Sequence, residues 1–282
     1  MRRGQIVTGR VVGSQLHLFD RSGSTLQRMN GRVLECWRYP VKSMQGARVD
    51  GVTIGARGVE GDRGYALLDA TSGRILSAKS VKDLLYARIE DDTVVLPDGT
   101  TVALDDPGAS KIFSEWLGRD VRLATPVEGE QRSYQMTFDP PNDDAEYVDI
   151  PAPPGSFVDL APVHLITTAT LAGCRAERPD LDWDVRRFRP NLLIDVDGPP
   201  FMEDDWTGQR LRIGDRAVLE ITAPLVRCAM PLRAQPGLER QAELFRAMSE
   251  LNTRFPNHLG VAGSVHTEGR VTAGDPVSLD SG

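Results

Sequence analysis

Cysteine is scarce in this 282-residue chain: Cys36, Cys174 and Cys228 stand far apart. With no C-x-x-C, a zinc ribbon, a thioredoxin-type pair and a cysteine-held iron–sulfur cluster lack ligands. Aromatic residues make up only 6%, whereas 27 Gly and 19 Pro supply many turns. That balance suits short strands better than a helical bundle. No P-loop, strand-following G-x-G-x-x-G, G-x-S-x-G or H-E-x-x-H motif occurs, so no intrinsic flavin or nicotinamide site is expected. No apolar run approaches a membrane span, and the N-terminus lacks the pattern of a secretory signal. Reduced thiols and a cytoplasmic location are therefore the expectation.

Charge is plentiful but uneven. The net charge is −7; residues 1–30 carry five Arg against Asp20, so the remainder stands at −11. An acidic body repels phosphates and anionic lipid, which argues against nucleic-acid or membrane partners.

The chain reads as α+β and β-rich. Residues 1–30 are polar and weakly patterned, as expected of a disordered extension. Val33–Tyr39 is strand-like and stopped by Pro40. A run near Val52–Ile54 precedes a loop with Gly58, Gly61 and Gly64. Val94–Leu96 and Val102–Leu104 flank the turn Pro97-Asp98-Gly99 as a hairpin. Ile112, Phe113, Trp116 and Leu117 share one face of a short helix that Gly118 stops. Residues 139–155 are acidic and proline-rich, the composition of a linker. Beyond it, Val163–Thr167 reads as a strand, with Thr168 capping a helix that ends before Pro179. Leu192–Val196 is a buried strand, and Leu211–Thr222 forms a hairpin. Leu238, Ala242, Phe245, Met248 and Leu251 recur at helical spacing, and Val261–Leu279 alternates as strands.

Four segments place anion-binding residues in apolar surroundings: Tyr39-Pro40-Val41-Lys42-Ser43, Gly61-Asp62-Arg63, Arg186-Arg187-Phe188-Arg189-Pro190-Asn191, and Val226-Arg227-Cys228. Lys, Arg and Ser at strand ends hold anions through charge-assisted hydrogen bonds, and a neighbouring cation favours a thiolate. Taken singly, each has a plainer reading: a solvated turn, a surface ion pair, a salt-bridge network and an inert buried thiol. Cys36 and Cys174 fit core positions, and His164, in an apolar strand, reads as structural.

Taken in order, with Gly274-Asp275-Pro276-Val277, these motifs resemble the MOSC family, in the branch that includes amidoxime-reducing proteins. The resemblance implies a MOSC N-terminal β-barrel domain over 31–138, the linker, and a MOSC β-barrel domain with peripheral helices over 156–280. It further implies a molybdenum–molybdopterin cofactor, with Cys228 as the catalytic thiolate ligand of the metal. Lys42, Ser43, Arg63, Asp159, Arg189, Asn191 and Arg227 would surround the pterin and its phosphate. Leu160, Ala161 and Val226 depart from the animal pattern, which has hydroxyl residues there. The implied activity is reduction of a small N-hydroxylated or N-oxygenated substrate. Its electrons would come from a separate flavoprotein, ferredoxin or haem protein. The rival expectation is a sulfur carrier that bears a persulfide on Cys228.

Overall fold

In the computed structural model, residues 30–280 are described; of residues 1–29, only the strands Gly9–Val12, Gln15–Phe19 and Thr25–Leu26 are, pairing antiparallel. The expected N-terminal extension otherwise lies outside the described residues.

The centre of the molecule is a closed seven-stranded barrel. Around its wall run Gly31–Arg38, Leu192–Asp195, Val163–Thr167, His258–Thr267, Ala217–Val226, Arg210–Ile213 and Pro276–Leu279, which returns to Gly31–Arg38. Val163–Thr167 and Leu192–Asp195 are parallel, and every other pair in the wall is antiparallel. Parallel neighbours need a crossover. Here it contains the helix Thr168–Glu177, whose cap is Thr167: its Oγ1 accepts from Thr170 N at 3.1 Å, one residue earlier than the expected Thr168.

Alternate residues fill the barrel: Val33, Val163, Leu165, Ile194, Leu211, Leu219, Ile221, Val261 and Val277 are all 1% exposed or less. Truncating one of them, such as Leu219→Ala, costs about 2–5 kcal/mol through lost burial and the cavity left behind.

The first barrel strand thus comes from the sequence-level N-terminal unit. So does Gly51–Gly55, which pairs with Gly269–Thr272 and sends Val52 and Ile54 into the same core. The remaining N-terminal β-structure has its own interior around Leu67, Leu84, Val94, Val102 and Phe113. Ala66–Asp69 pairs there with Val121–Ala124, and Thr93–Val95 lies between Arg88–Glu90 and Thr101–Ala103. The helix Ala109–Leu117 ends at Gly118 in the left-handed conformation (φ 61°), as its sequence requires.

Residues 139–155 are more than a connector. Val148–Pro151 pairs with Ser133–Met136, and Ala152 joins a buried cluster with Tyr134 and Phe157. Composition marks the Pro-rich flanks but hides the strand, because its exposed positions are Asp149 and Pro151, both poor strand formers. The late helix is shorter than its apolar stripe: it spans Glu243–Leu251 and buries Leu244, Ala247 and Met248, while Leu238 bridges to Gln235 outside it. Among the described residues no helix is long and apolar enough to cross a membrane.

Candidate functional site

Pro40 ends the first barrel strand because proline has no N–H to give the ladder. The chain then turns across the 62–65 segment. Lys42 N donates to Tyr65 O (2.8 Å), Tyr65 N to Pro40 O (3.0 Å) and Arg63 N to Tyr39 O (2.7 Å). Two of the four motifs therefore meet through backbone bonds. Gly58, at φ 113°, lets the adjoining loop pass Pro162, since a Cβ there would lie 2.4 Å from the Pro162 carbonyl oxygen. That close approach brings the 157–162 loop alongside.

The lysine side of the cluster is built on Asp159. Lys42 Nζ pairs with Asp159 Oδ1 and donates to Phe157 O at 2.8 Å. Lys79 Nζ donates to Asp159 Oδ2 at 3.0 Å and lies 4.1 Å from the Tyr134 ring centroid. Both lysines are nearly buried, whereas the Asp159 side chain keeps 35% of its surface. Burial pushes Lys42 below the ordinary lysine value, with Asp159 pulling the other way. Burial also opposes the Lys79 ammonium, yet Asp159 and then Cys228 hold it above the ordinary value. Asp159 is itself held far below the usual carboxylate range: burial works against its charge, but Lys42 and Lys79 prevail.

The arginine side joins the two units. Arg189 follows the four-residue helix Val185–Phe188 and donates from Nη1 to Met44 O at 2.6 Å. Arg63 pairs with Asp62 and reaches Arg189 O with Nη2 at 3.4 Å. Arg189 Nη2 is buried with no partner. Burial, then the charge of Arg63, lowers Arg189 to about 10. Ser43, Arg63 and Arg189 have φ of 69°, 48° and 56°, three of the six non-glycine residues with positive φ among the described residues. Each such residue stores on the order of 1–3 kcal/mol, and strain of this kind gathers at functional sites.

Cys228 follows the strand Ala217–Val226 in a loop that leads to Met230–Leu232. It is partly exposed, unlike Cys36 and Cys174, whose burial pushes their thiols up to about 11 and 12. It lies within electrostatic range of Lys79, Tyr134 and Arg227.

Asn191 and Arg227 are committed to the protein. Asn191 Oδ1 accepts from His164 N (3.1 Å), and its Nδ2 donates to Trp37 O (3.4 Å). Arg227 turns inward, donating to Leu259 O (2.8 Å from Nε) and Phe188 O (3.1 Å from Nη1) and meeting His164 Nε2 at 2.5 Å. His164 is buried between Arg227 and the Arg189 carbonyl; burial, then the charge of Arg227, keeps it neutral, as a structural residue requires.

Lys79 and Tyr134 escaped the sequence reading. Ser77-Ala78-Lys79-Ser80 has the look of a surface loop, and only the fold reveals that Lys79 is 3% exposed. Its carbonyl is held by the Tyr147 hydroxyl (2.7 Å) and by Arg233 Nη2 (2.8 Å), so the expected linker and the C-terminal unit both fix it.

Lys42, Lys79, Arg63 and Arg189 thus stand against the carboxylates Asp62 and Asp159, an excess of two positive charges near one partly exposed thiol, with Arg227 turned inward behind them. The excess and the orphan Arg189 donor suit a multiply charged oxyanion.

A β-rich protein built on a closed barrel, with a cluster of buried cations where its N-terminal and C-terminal parts meet, is the class so defined. The MOSC N-terminal beta barrel domain matches residues 30–134 and the MOSC domain matches residues 153–278. The chain belongs to the MOSC family. It is 26% identical to molybdenum cofactor sulfurase of Drosophila mojavensis over 80% of this chain, and spans 31% of that protein. It is 24% identical to mitochondrial amidoxime reducing component 2 of Bos taurus, over 88% of this chain and 82% of the relative. Among solved structures, YUAD protein from Bacillus subtilis aligns with a TM-score of 0.43 at 9% identity, over 90% of this chain and 97% of its own. YiiM from Escherichia coli aligns at 0.39 and 12% identity, over 91% and 71%.

Proposed function

We propose that the protein binds a molybdenum–molybdopterin cofactor and reduces N-hydroxylated or N-oxygenated small molecules. The observation that carries this reading is the partly exposed Cys228 thiol near a cation excess drawn from both units. A phosphorylated pterin dithiolene is anionic, and it fits a cluster whose Arg189 has an unused donor. Cys228 would ligate the metal. Lys42, Lys79, Arg63 and Arg189 would neutralise the phosphate and orient the pterin, with Ser43 at the turn between them. Asn191 and Arg227 support the site from behind by fixing the backbone around His164 and Leu259. When bound, the cofactor supplies two-electron oxygen-transfer chemistry that side chains lack. A separate flavoprotein, ferredoxin or haem protein would supply the electrons.

The match to molybdenum cofactor sulfurases favours one alternative, a carrier of persulfide sulfur on Cys228. Metal and pterin analysis of the purified full chain and of Cys228→Ala separates the two. Near-stoichiometric molybdenum, lost in the variant, is the expected result. Metal-free protein with cyanide-labile sulfur at Cys228 supports the carrier instead. The sealed Cys36 and Cys174 keep that assay specific.

A further inference from the structure

Tyr39 sits among the charges of the site and yet is only 1% exposed. Two guanidinium groups lie over its ring: Arg63 Cζ at 4.5 Å and Arg189 Cζ at 4.3 Å from the centroid. One comes from each unit of the molecule. The phenolic oxygen is buried without a partner, so hydrogen bonding through the hydroxyl does not explain the residue's place. The ring is held by other means. Tyr39 N donates to Asp62 Oδ1 at 2.7 Å, its carbonyl accepts from Arg63 N at 2.7 Å, and Trp37 stacks at 6.4 Å between centroids. Room for it depends on Gly46, where a Cβ would fall 2.2 Å from a ring carbon.

Two neighbouring guanidiniums repel, and Asp62 pairs directly only with Arg63. The face of an aromatic ring carries negative potential and attracts cations, more strongly when water is excluded. We propose that Tyr39 is a positioning residue of the anion site: its π face holds Arg63 and Arg189 together before any ligand arrives, so an oxyanion of the phosphate-ester class meets an assembled pair. This rests on the anion-site reading above. It adds that binding strength is set by the electron density of a residue that need not touch the ligand.

The test replaces Tyr39 in the full chain with Phe and then with phenylalanines bearing one, two and three ring fluorines. These keep nearly the same shape while draining the face of negative potential. Binding of inorganic phosphate is measured by calorimetry at fixed low ionic strength, with the thermal midpoint recorded for each variant. The Phe chain should bind within about twofold of the parent, and affinity should fall stepwise to about tenfold weaker at three fluorines. The midpoint should move little. A flat series overturns the proposal, because Tyr39 then only fills space. Loss of the whole effect at the Phe step also overturns it, because the hydroxyl then carries the role. A parent chain that binds no phosphate removes the anion reading and this inference together; a binding parent with a flat series removes this inference alone.

Discussion

The lysine and arginine sides of the cluster answer like-charge repulsion differently. Lys42 and Lys79 share a carboxylate, Asp159, which keeps a third of its side-chain surface in contact with solvent. Arg63 and Arg189 share a buried ring and leave one guanidinium donor unpaired. On the lysine side a protein carboxylate already does what an incoming anion would do. On the arginine side Asp62 does so for Arg63 alone, and no carboxylate pairs with Arg189. An anion should therefore compete with Asp159 at one end and find vacant hydrogen-bonding capacity at the other.

Removing Arg189 tests the vacant end and has the largest expected effect. Arg189→Met deletes the orphan donor and the bond to Met44 O, and phosphate affinity by calorimetry should fall on the order of a hundredfold. Unchanged affinity would move the anion site elsewhere. Lys79→Met should weaken phosphate about tenfold, consistent with one charge-assisted contact; a loss as large as that of Arg189→Met would erase the distinction between the two sides. Asp159→Asn should act in the opposite sense. Phosphate binding should tighten several-fold, while urea unfolding shows a loss of about 1–2 kcal/mol, discounted for the solvent that screens Asp159. Weaker phosphate binding in that variant would mean that Asp159 supports the anion rather than competing with it.

The smallest effect concerns His164, which braces both Arg189 O and Arg227. Its folded-state value is depressed by burial and the neighbouring guanidinium. The folded protein therefore resists a proton that the unfolded chain accepts near pH 6.5. The stabilisation is complete above about pH 6.5 and declines as pH falls below it. Between pH 7.5 and 5.5 the parent should lose about 1 kcal/mol more than His164→Gln in urea titrations.

Sequence alone made the local features legible. Pro40 does end a strand, Gly118 does stop a helix, and the 94–104 hairpin lies where its turn residues put it. The motifs around Lys42, Arg63 and Arg189 do come together, because each lies in a connection between two elements. What escaped depends on long-range pairing. The strand Gly31–Arg38 has no local mark to say which sheet will take it, and Lys79 has none to say that its loop will be covered. Arg227 shows the converse: beside Cys228 in sequence, its guanidinium turns away toward carbonyls. Adjacency along an extended chain gives no direction, since successive side chains point to opposite faces.

Closure of the barrel by Gly31–Arg38 has a consequence for biosynthesis. During translation this segment leaves the ribosome long before Pro276–Leu279, the neighbour that seals the wall. Until that last segment emerges, the barrel strands can form only an open sheet with unsatisfied margins. Severing the chain at the apparent boundary near residue 150 would make that transient state permanent, producing two sticky fragments in place of two domains.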